Sequence, residues 1–110
     1  TTNNNLNQII MKVEITQTDN KVMVSIAGRL DTVTSSEFEK HLAPYFTMNG
    51  IELHLECAEM EYISSAGLRV VLTIHKNVTS KGGQFILANL NKEVRSVFDM
   101  TGFSRILTII

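Results

Sequence analysis

The 110-residue chain has one cysteine, one proline and no tryptophan. A single cysteine, Cys57, excludes an intrachain disulfide and is typical of a reducing compartment. No apolar run is long enough to span a bilayer. Positive charge is not in excess either, because ten Lys and Arg residues face eleven Asp and Glu residues, for a net charge of -1. We therefore expect no nucleic-acid partner and no membrane partner.

The chain also lacks the patterns of a metal site or a hydrolase. Its three histidines fall on different predicted elements, with no Cys or carboxylate at metal-ligand spacing. A hydrolase built from Ser65, His75 and Asp31 is disfavoured, because ten residues of one helix, roughly 15 Å along its axis, separate the serine from the histidine. Gly82-Gly83 has neither the lysine nor the spacing of a phosphate-binding loop. We expect no enzyme activity and no bound cofactor.

The overall composition is ordinary for a small globular domain. Hydrophobic residues make up 44% of the chain and charged residues 19%, and this length is sufficient for one modest core. Residues 1–10 are polar and Asn-rich, so we expect a weakly docked tail followed by one domain over residues 11–110. The N-terminus has no basic flank and no apolar run, and a cytoplasmic location is expected.

Hydrophobic periodicity predicts the element order β-β-α-β-α-β-α-β. Two strands with alternating apolar and polar residues are predicted on either side of the turn Asp19-Asn20. At the end of the second strand, residues 27–31 are expected to leave the sheet. The capping-box pattern Thr34-Ser35-Ser36-Glu37 predicts the start of the first helix at Thr34. The helices are predicted at about 34–46, 64–80 and 91–100, and the later strands at 51–58, 84–88 and 106–110. This order is typical of an α/β fold, with a mixed, mostly parallel sheet of about four to five strands and three main helices.

One junction of the chain is a candidate for chemistry, the serine pair Ser64-Ser65 between the third strand and the second helix. Serine is a preferred N-cap because its hydroxyl accepts from a first-turn N–H. One hydroxyl is expected to cap the helix, and the other remains at its positive end, where an added phosphate is electrostatically favourable. From the residues alone, two interpretations stay open: the pair only caps the helix, or Ser65 is a site of modification.

Four segments of the chain resemble a known family in their order and spacing. They are Gly28-Arg29-Leu30-Asp31, Ile63-Ser64-Ser65-Ala66-Gly67-Leu68, Gly82-Gly83, and residues 97–103. The chain is similar in these to the STAS domains, and within them to the single-domain anti-sigma factor antagonists of bacteria. The resemblance covers about residues 11–110. It departs from the family pattern at Ser64, where many members have Asp, and at Ala66, which occupies the position of a second hydroxyl.

The resemblance implies a partner switch. In the family, the unphosphorylated domain binds an anti-sigma factor that is also an ATP-using serine kinase, and so releases a sigma factor. Alignment on Gly67-Leu68 places the phosphoacceptor at Ser65, with Ser64 as the alternative, and phosphorylation ends the binding. A metal-dependent serine phosphatase then resets the domain. Nucleotide and metal thus belong to the partners and not to this chain.

The resemblance also implies a contact surface and leaves a second function open. The implied partner-binding residues are Asp31, Thr32, Tyr62, Ile63, Ser64, Ser65, Ala66, Gly67 and Arg69. For Asp31 the structural alternative is a turn or cap carboxylate, and for Arg69 it is a solvated helix residue. The second function is a non-phosphorylated STAS scaffold subunit of a lipid-transport or stress-signalling complex. Retention of the acceptor hydroxyl at Ser65 argues against it.

Overall fold

Residues 11–110 are described by the structure, a computed structural model, and they contain five strands and three α-helices. The predicted tail, residues 1–10, lies outside the described residues. In chain order the elements are β1 (Met11–Thr18), β2 (Lys21–Leu30), α1 (Thr32–Leu42), β3 (Glu52–Ile63), α2 (Ser65–Ser80), β4 (Gln84–Ala88), α3 (Lys92–Thr101) and β5 (Thr108–Ile109). This is the predicted order of elements.

The strands form one sheet in the order β1-β2-β3-β4-β5. β1 runs antiparallel to β2 across the predicted two-residue turn Asp19-Asn20, and the other neighbouring pairs are parallel. A helix joins each parallel pair, because parallel strands need a long crossover connection. The prediction of a mixed, mostly parallel sheet with three helices is therefore confirmed.

One hydrophobic core lies between the sheet and the helices. Its fully buried side chains come from all three helices and from β2, β3 and β4, and they include Phe38, Ile74, Phe98, Val24, Leu55 and Leu87. Cys57 belongs to the same core, and burial raises the pKa of its thiol to about 12. Because only the thiolate is a good nucleophile, Cys57 is a small core residue and not a reactive one.

β2 and β3 extend further than the sequence predicts. β2 continues to Leu30 and β3 to Ile63, so both predictions of an earlier strand end are wrong. Gly28, with a φ of 97°, lies at a register shift between the strands, and pairing resumes beyond it at Arg29 with Tyr62. Such a bulge interrupts the alternation of side chains without ending the ladder. The two strand ends therefore lie side by side where α1 and α2 begin.

The last strand is shorter than predicted. Only Thr108 and Ile109 belong to β5, and they pair with Ile86 and Leu87 of β4. Ile106, predicted as a strand residue, is exposed and follows a 3-10 turn. The N–H groups of Ile106 and Leu107 both donate to the carbonyl of Phe103 at 3.0 Å, so the turn takes the donors that a longer β5 would need.

Helix α1 begins earlier than the capping-box pattern predicts. Its N-cap is Asp31, whose carboxylate accepts from the N–H groups of Val33 and Thr34 at 3.0 and 3.1 Å. Thr34 occupies the third helical position, and its hydroxyl accepts from the N–H of Asp31 at 2.8 Å. The same hydroxyl donates to the carbonyl of Arg29 at 2.7 Å. The observed capping box, Asp31 with Thr34, therefore replaces the predicted one, Thr34 with Glu37. It also adds the hydrogen bond from Thr34 to β2.

Thr34 and Ser35 give a matched pair of substitutions in α1. Both are buried, at 6% and 3% exposure, but the hydroxyl of Ser35 has no hydrogen-bond partner among the described residues. We expect Thr34→Val to lower the free energy of unfolding by about 1–2 kcal/mol, because the carbonyl of Arg29 and the N–H of Asp31 lose their hydrogen-bond partner. Ser35→Ala is expected to leave it unchanged or to raise it slightly. Urea denaturation measures both, and equal losses would contradict this assignment.

Candidate functional site

Ser64 and Ser65 lie where β3 passes into α2. Ser64 is the N-cap: its Oγ accepts from the N–H of Gly67 at 3.3 Å, and its own N–H donates to the carbonyl of Leu30 at 2.9 Å. Ser65 is the first helical residue, is exposed, and takes no part in the cap. The prediction that one serine caps the helix is confirmed, and the hydroxyl that remains at the positive helix end belongs to Ser65.

Gly67 allows α2 to approach the ends of β2 and β3 closely. A Cβ at this position would lie 2.7 Å from the carbonyl oxygen of Leu30 and 2.8 Å from Cγ1 of Ile63. Real Cβ atoms do not approach other heavy atoms so closely, so only glycine fits without movement. The close contact and the Ser64–Leu30 hydrogen bond together set the position of Ser65 relative to the sheet.

Arg29 is a site residue that the sequence analysis missed. Its Cζ lies 4.1 Å from the centroid of the Tyr62 ring, a cation–π contact between neighbouring strands. Its Nε is 4.0 Å from Oδ2 of Asp31, a half-exposed ion pair that contributes little to stability. The signal in the sequence is weak, because the register that brings Arg29 beside Tyr62 depends on two register shifts, one between Ser25 and Ala27 and one at Gly28.

The cap keeps the carboxylate of Asp31 ionised. The N–H of Thr34 is the main cause that lowers the pKa of Asp31 below its ordinary value of 3.8, against partial desolvation and with further help from the Thr34 hydroxyl. Because the pKa of Asp31 is lower in the folded state than in the unfolded state, the ionised cap stabilises the fold at pH values above 3.8. This contribution to the free energy of unfolding is lost as the pH falls through the lowered pKa. Asp31 is therefore a cap carboxylate, and its part in docking remains a prediction.

The remaining predicted residues lie at the same end of the sheet. Thr32, Tyr62 and Arg69 are exposed, and Ala66 is half-buried. Ile63 and Gly67 are buried, so they support this surface from beneath. Arg69 follows Ser65 by four residues, one turn along the same side of α2. The structure thus brings the predicted residues together around the starts of α1 and α2.

Val33 adds an apolar side chain that the sequence analysis also missed. It lies in the first turn of α1 directly after Thr32 and is 73% exposed. The sequence signal for its exposure is its position, since helical spacing places Val33 on a different side of the helix from the inward-facing Phe38 and Leu42. We call the exposed set the junction surface, and it consists of Arg29, Thr32, Val33, Tyr62, Ser65 and Arg69. This surface presents the aliphatic hydroxyls of Thr32 and Ser65, the guanidinium groups of Arg29 and Arg69, the side chain of Val33 and the ring of Tyr62.

Two further findings concern ligands and membranes. Within residues 11–110, no group of three or more His, Cys, Asp or Glu side chains is placed to hold a metal ion. In the same part of the chain, none of the helices is both long and apolar enough to cross a bilayer. What the junction surface can do chemically is bind a partner and accept a group at the Ser65 hydroxyl.

Comparison with known proteins shows the family. The family model of the STAS domain matches residues 12–110, so the chain belongs to the STAS domain family. The chain is similar to the anti-sigma-B factor antagonist of Bacillus subtilis, with 30% identity over 99 residues that cover 90% of this chain and 90% of the relative.

Two solved structures share the fold. An anti-sigma factor antagonist from Mycobacterium paratuberculosis has a TM-score of 0.80 at 18% identity, covering 90% of this chain and 84% of that one. The Bacillus cell fate determinant SpoIIAA in its phosphorylated form has a TM-score of 0.71 at 17% identity, covering 90% of this chain and 91% of that one. At such low identity, the likeness concerns the fold alone.

Proposed function

We propose that this chain is an anti-sigma factor antagonist. In its unmodified form it binds an anti-sigma factor in the cytoplasm, and so releases a sigma factor. Its similarity to the Bacillus subtilis antagonist over 90% of both chains supports this function. The observation that carries the proposal is the exposed hydroxyl of Ser65, at the start of α2 and outside the helix cap. The junction surface is the proposed contact area.

Phosphorylation of Ser65 is the proposed switch. The serine kinase activity of the anti-sigma factor transfers the γ-phosphoryl group of ATP to Oγ of Ser65, and ADP leaves. The phosphate adds about -1.5 to -2 charges at neutral pH. The fold tolerates this charge at a helix N-terminus, but a packed interface has to desolvate it. A metal-dependent serine phosphatase removes the phosphate, so ATP and metal act in the partners.

The local geometry favours Ser65 over Ser64 as the acceptor. Oγ of Ser64 accepts from the N–H of Gly67, and Ser64 is half-buried under the start of α2. A phosphate on Ser64 would displace that cap. A phosphate on Ser65 leaves the cap in place and lies near the first-turn N–H groups, which attract anions.

Intact-mass measurement tests this function. After incubation with ATP and the cognate anti-sigma factor, the chain is expected to gain one phosphate, and Ser65→Ala is expected to gain none. Ser64→Ala is the matched control: it loses the cap, at about 1 kcal/mol of stability, but keeps the acceptor. A phosphate gained by Ser65→Ala would contradict the assignment of Ser65. A wild-type chain that binds its partner and never gains phosphate would instead be the scaffold subunit of the second hypothesis.

A further inference from the structure

β3 has a long edge without a neighbouring strand. β4 pairs with β3 only from Glu52 to Glu56, whereas β2 pairs with it as far as Ile63. Beyond Glu56, none of the described strands covers the other edge of β3, and α3 contacts β3 instead. The side-chain amide of Asn91 donates to the carbonyl of Met60 at 3.0 Å. Past this point, the strand end offers an open side to an incoming chain.

A groove of about 220 Å³ lies between the end of β3 and α3. Its floor is apolar and is formed by Ile63 of β3 with Val94 and Val97 of α3. Ile63 and Val94 are buried, and Val97 is half-buried, so the floor joins the hydrophobic core. An apolar groove beside an open strand edge suits an extended peptide, whose main chain pairs with the edge while alternate side chains enter the groove.

The rim of the groove is negatively charged. Of the described residues that line it, only Glu61 of β3 and Glu93 of α3 carry charge. Both are exposed, and neither forms an ion pair within residues 11–110. Two free carboxylates on opposite elements attract a cationic segment and repel an anionic one.

We propose that this groove binds an extended segment of a partner protein in which aliphatic residues alternate with Lys or Arg. The main chain of the segment pairs with the open edge of β3 near Ile63. Its aliphatic side chains contact Val94 and Val97, and its basic side chains lie beside Glu61 and Glu93. Tyr62 also lines the groove, so the groove adjoins the junction surface and shares this residue with it. Binding in the groove nevertheless requires neither the Ser65 hydroxyl nor a phosphate.

A peptide titration followed by NMR tests the groove. The probe is a blocked hexapeptide that alternates lysine with valine, and the matched control peptide has glutamate in place of lysine. With the lysine peptide, saturable chemical-shift changes are expected in the amides of residues 61–63 and 93–97. With the glutamate peptide no such changes are expected. Ser65→Asp is expected to bind the lysine peptide like the wild type, so a failed switch leaves this result intact.

Charge reversal tests whether the lysine peptide is attracted by the two glutamates of the groove or by negative charge anywhere on the protein. Glu61→Lys with Glu93→Lys is expected to weaken binding of the lysine peptide about tenfold, because two weak, exposed ion pairs are replaced by repulsion between like charges. Glu14→Lys with Glu37→Lys makes the same change of net charge at two other exposed carboxylates, on β1 and α1, and is expected to keep the affinity.

Three results would overturn the proposal. They are equal binding of both peptides, equal loss in both double variants, and shift changes that lie outside the groove. A second copy of this chain is the other possible occupant. If the same amides shift with protein concentration alone, and sedimentation shows a dimer, the groove belongs to that copy and not to a basic segment.

Discussion

Ser65→Asp is expected to weaken binding to the anti-sigma factor by roughly thirty-fold to several thousand-fold while the domain stays folded. A charge left without a partner in a buried interface costs about 2–5 kcal/mol, which corresponds to that range of affinities. The same carboxylate lies at the first position of α2, where it interacts favourably with the helix dipole by about 0.3–1 kcal/mol. The melting temperature is therefore expected to stay equal or to rise slightly. Calorimetric titration and thermal unfolding measure the two effects.

Ser80→Asp is the matched control, because Ser80 is the last residue of the same helix. It adds the same charge about 22 Å away, at the usual helical rise, and there the dipole opposes it. We expect normal binding and slightly lower stability, the reverse of the result for Ser65→Asp. Ser65→Ala is expected to bind and to stay bound when ATP is present. If Ser65→Asp binds like the wild type, the switch lies elsewhere.

Gly67→Ala is expected to lower the free energy of unfolding by about 3 kcal/mol, at the upper end of what overpacking costs. The added Cβ would press on the backbone oxygen of Leu30 and on Ile63, at 2.7 and 2.8 Å. Relief of this contact moves α2 away from the strand ends and stretches the hydrogen bond from Ser64 to Leu30. The variant is therefore expected to lose partner binding as well. Urea denaturation and a binding titration measure the two losses.

Gly82→Ala is the control for this substitution. Gly82 has a φ of 77°, and a Cβ there would meet nothing within 4 Å. Its cost is that of the left-handed backbone conformation alone, about 1 kcal/mol. If Gly67→Ala costs no more than Gly82→Ala, close packing is not what positions the start of α2.

Much of the fold follows from local patterns in the sequence. The turn Asp19-Asn20 and the serine cap of α2 lie where the sequence predicts them. Each depends on residues within three or four positions, so neighbouring residues carry the signal. The start of α1 was predicted wrongly because two capping boxes share Thr34, and the one with Asp31 also gains a bond to the carbonyl of Arg29.

The candidate site was predictable in part. The serine pair marks the start of a helix, and the family resemblance adds Ser65 as the acceptor, which stays a prediction. Arg29 was missed because its contact with Tyr62 joins residues far apart in sequence. Val33 was missed because a position off the inner-face spacing predicts exposure but does not indicate a binding surface. The omission of Arg29 therefore concerns a neighbour in space and not a neighbour along the chain.

The sequence by itself determined the order and type of the elements and the serine pair at the start of α2. Only the tertiary structure decided that Arg29 stacks on Tyr62 and that α2 packs Gly67 against Leu30. It also decided that β3 extends further than β4 and leaves a groove beside α3. The reason is that alternation of side chains specifies which face of a strand is buried. It does not specify which residue of a distant strand lies opposite, and the two register shifts between β2 and β3 change that pairing.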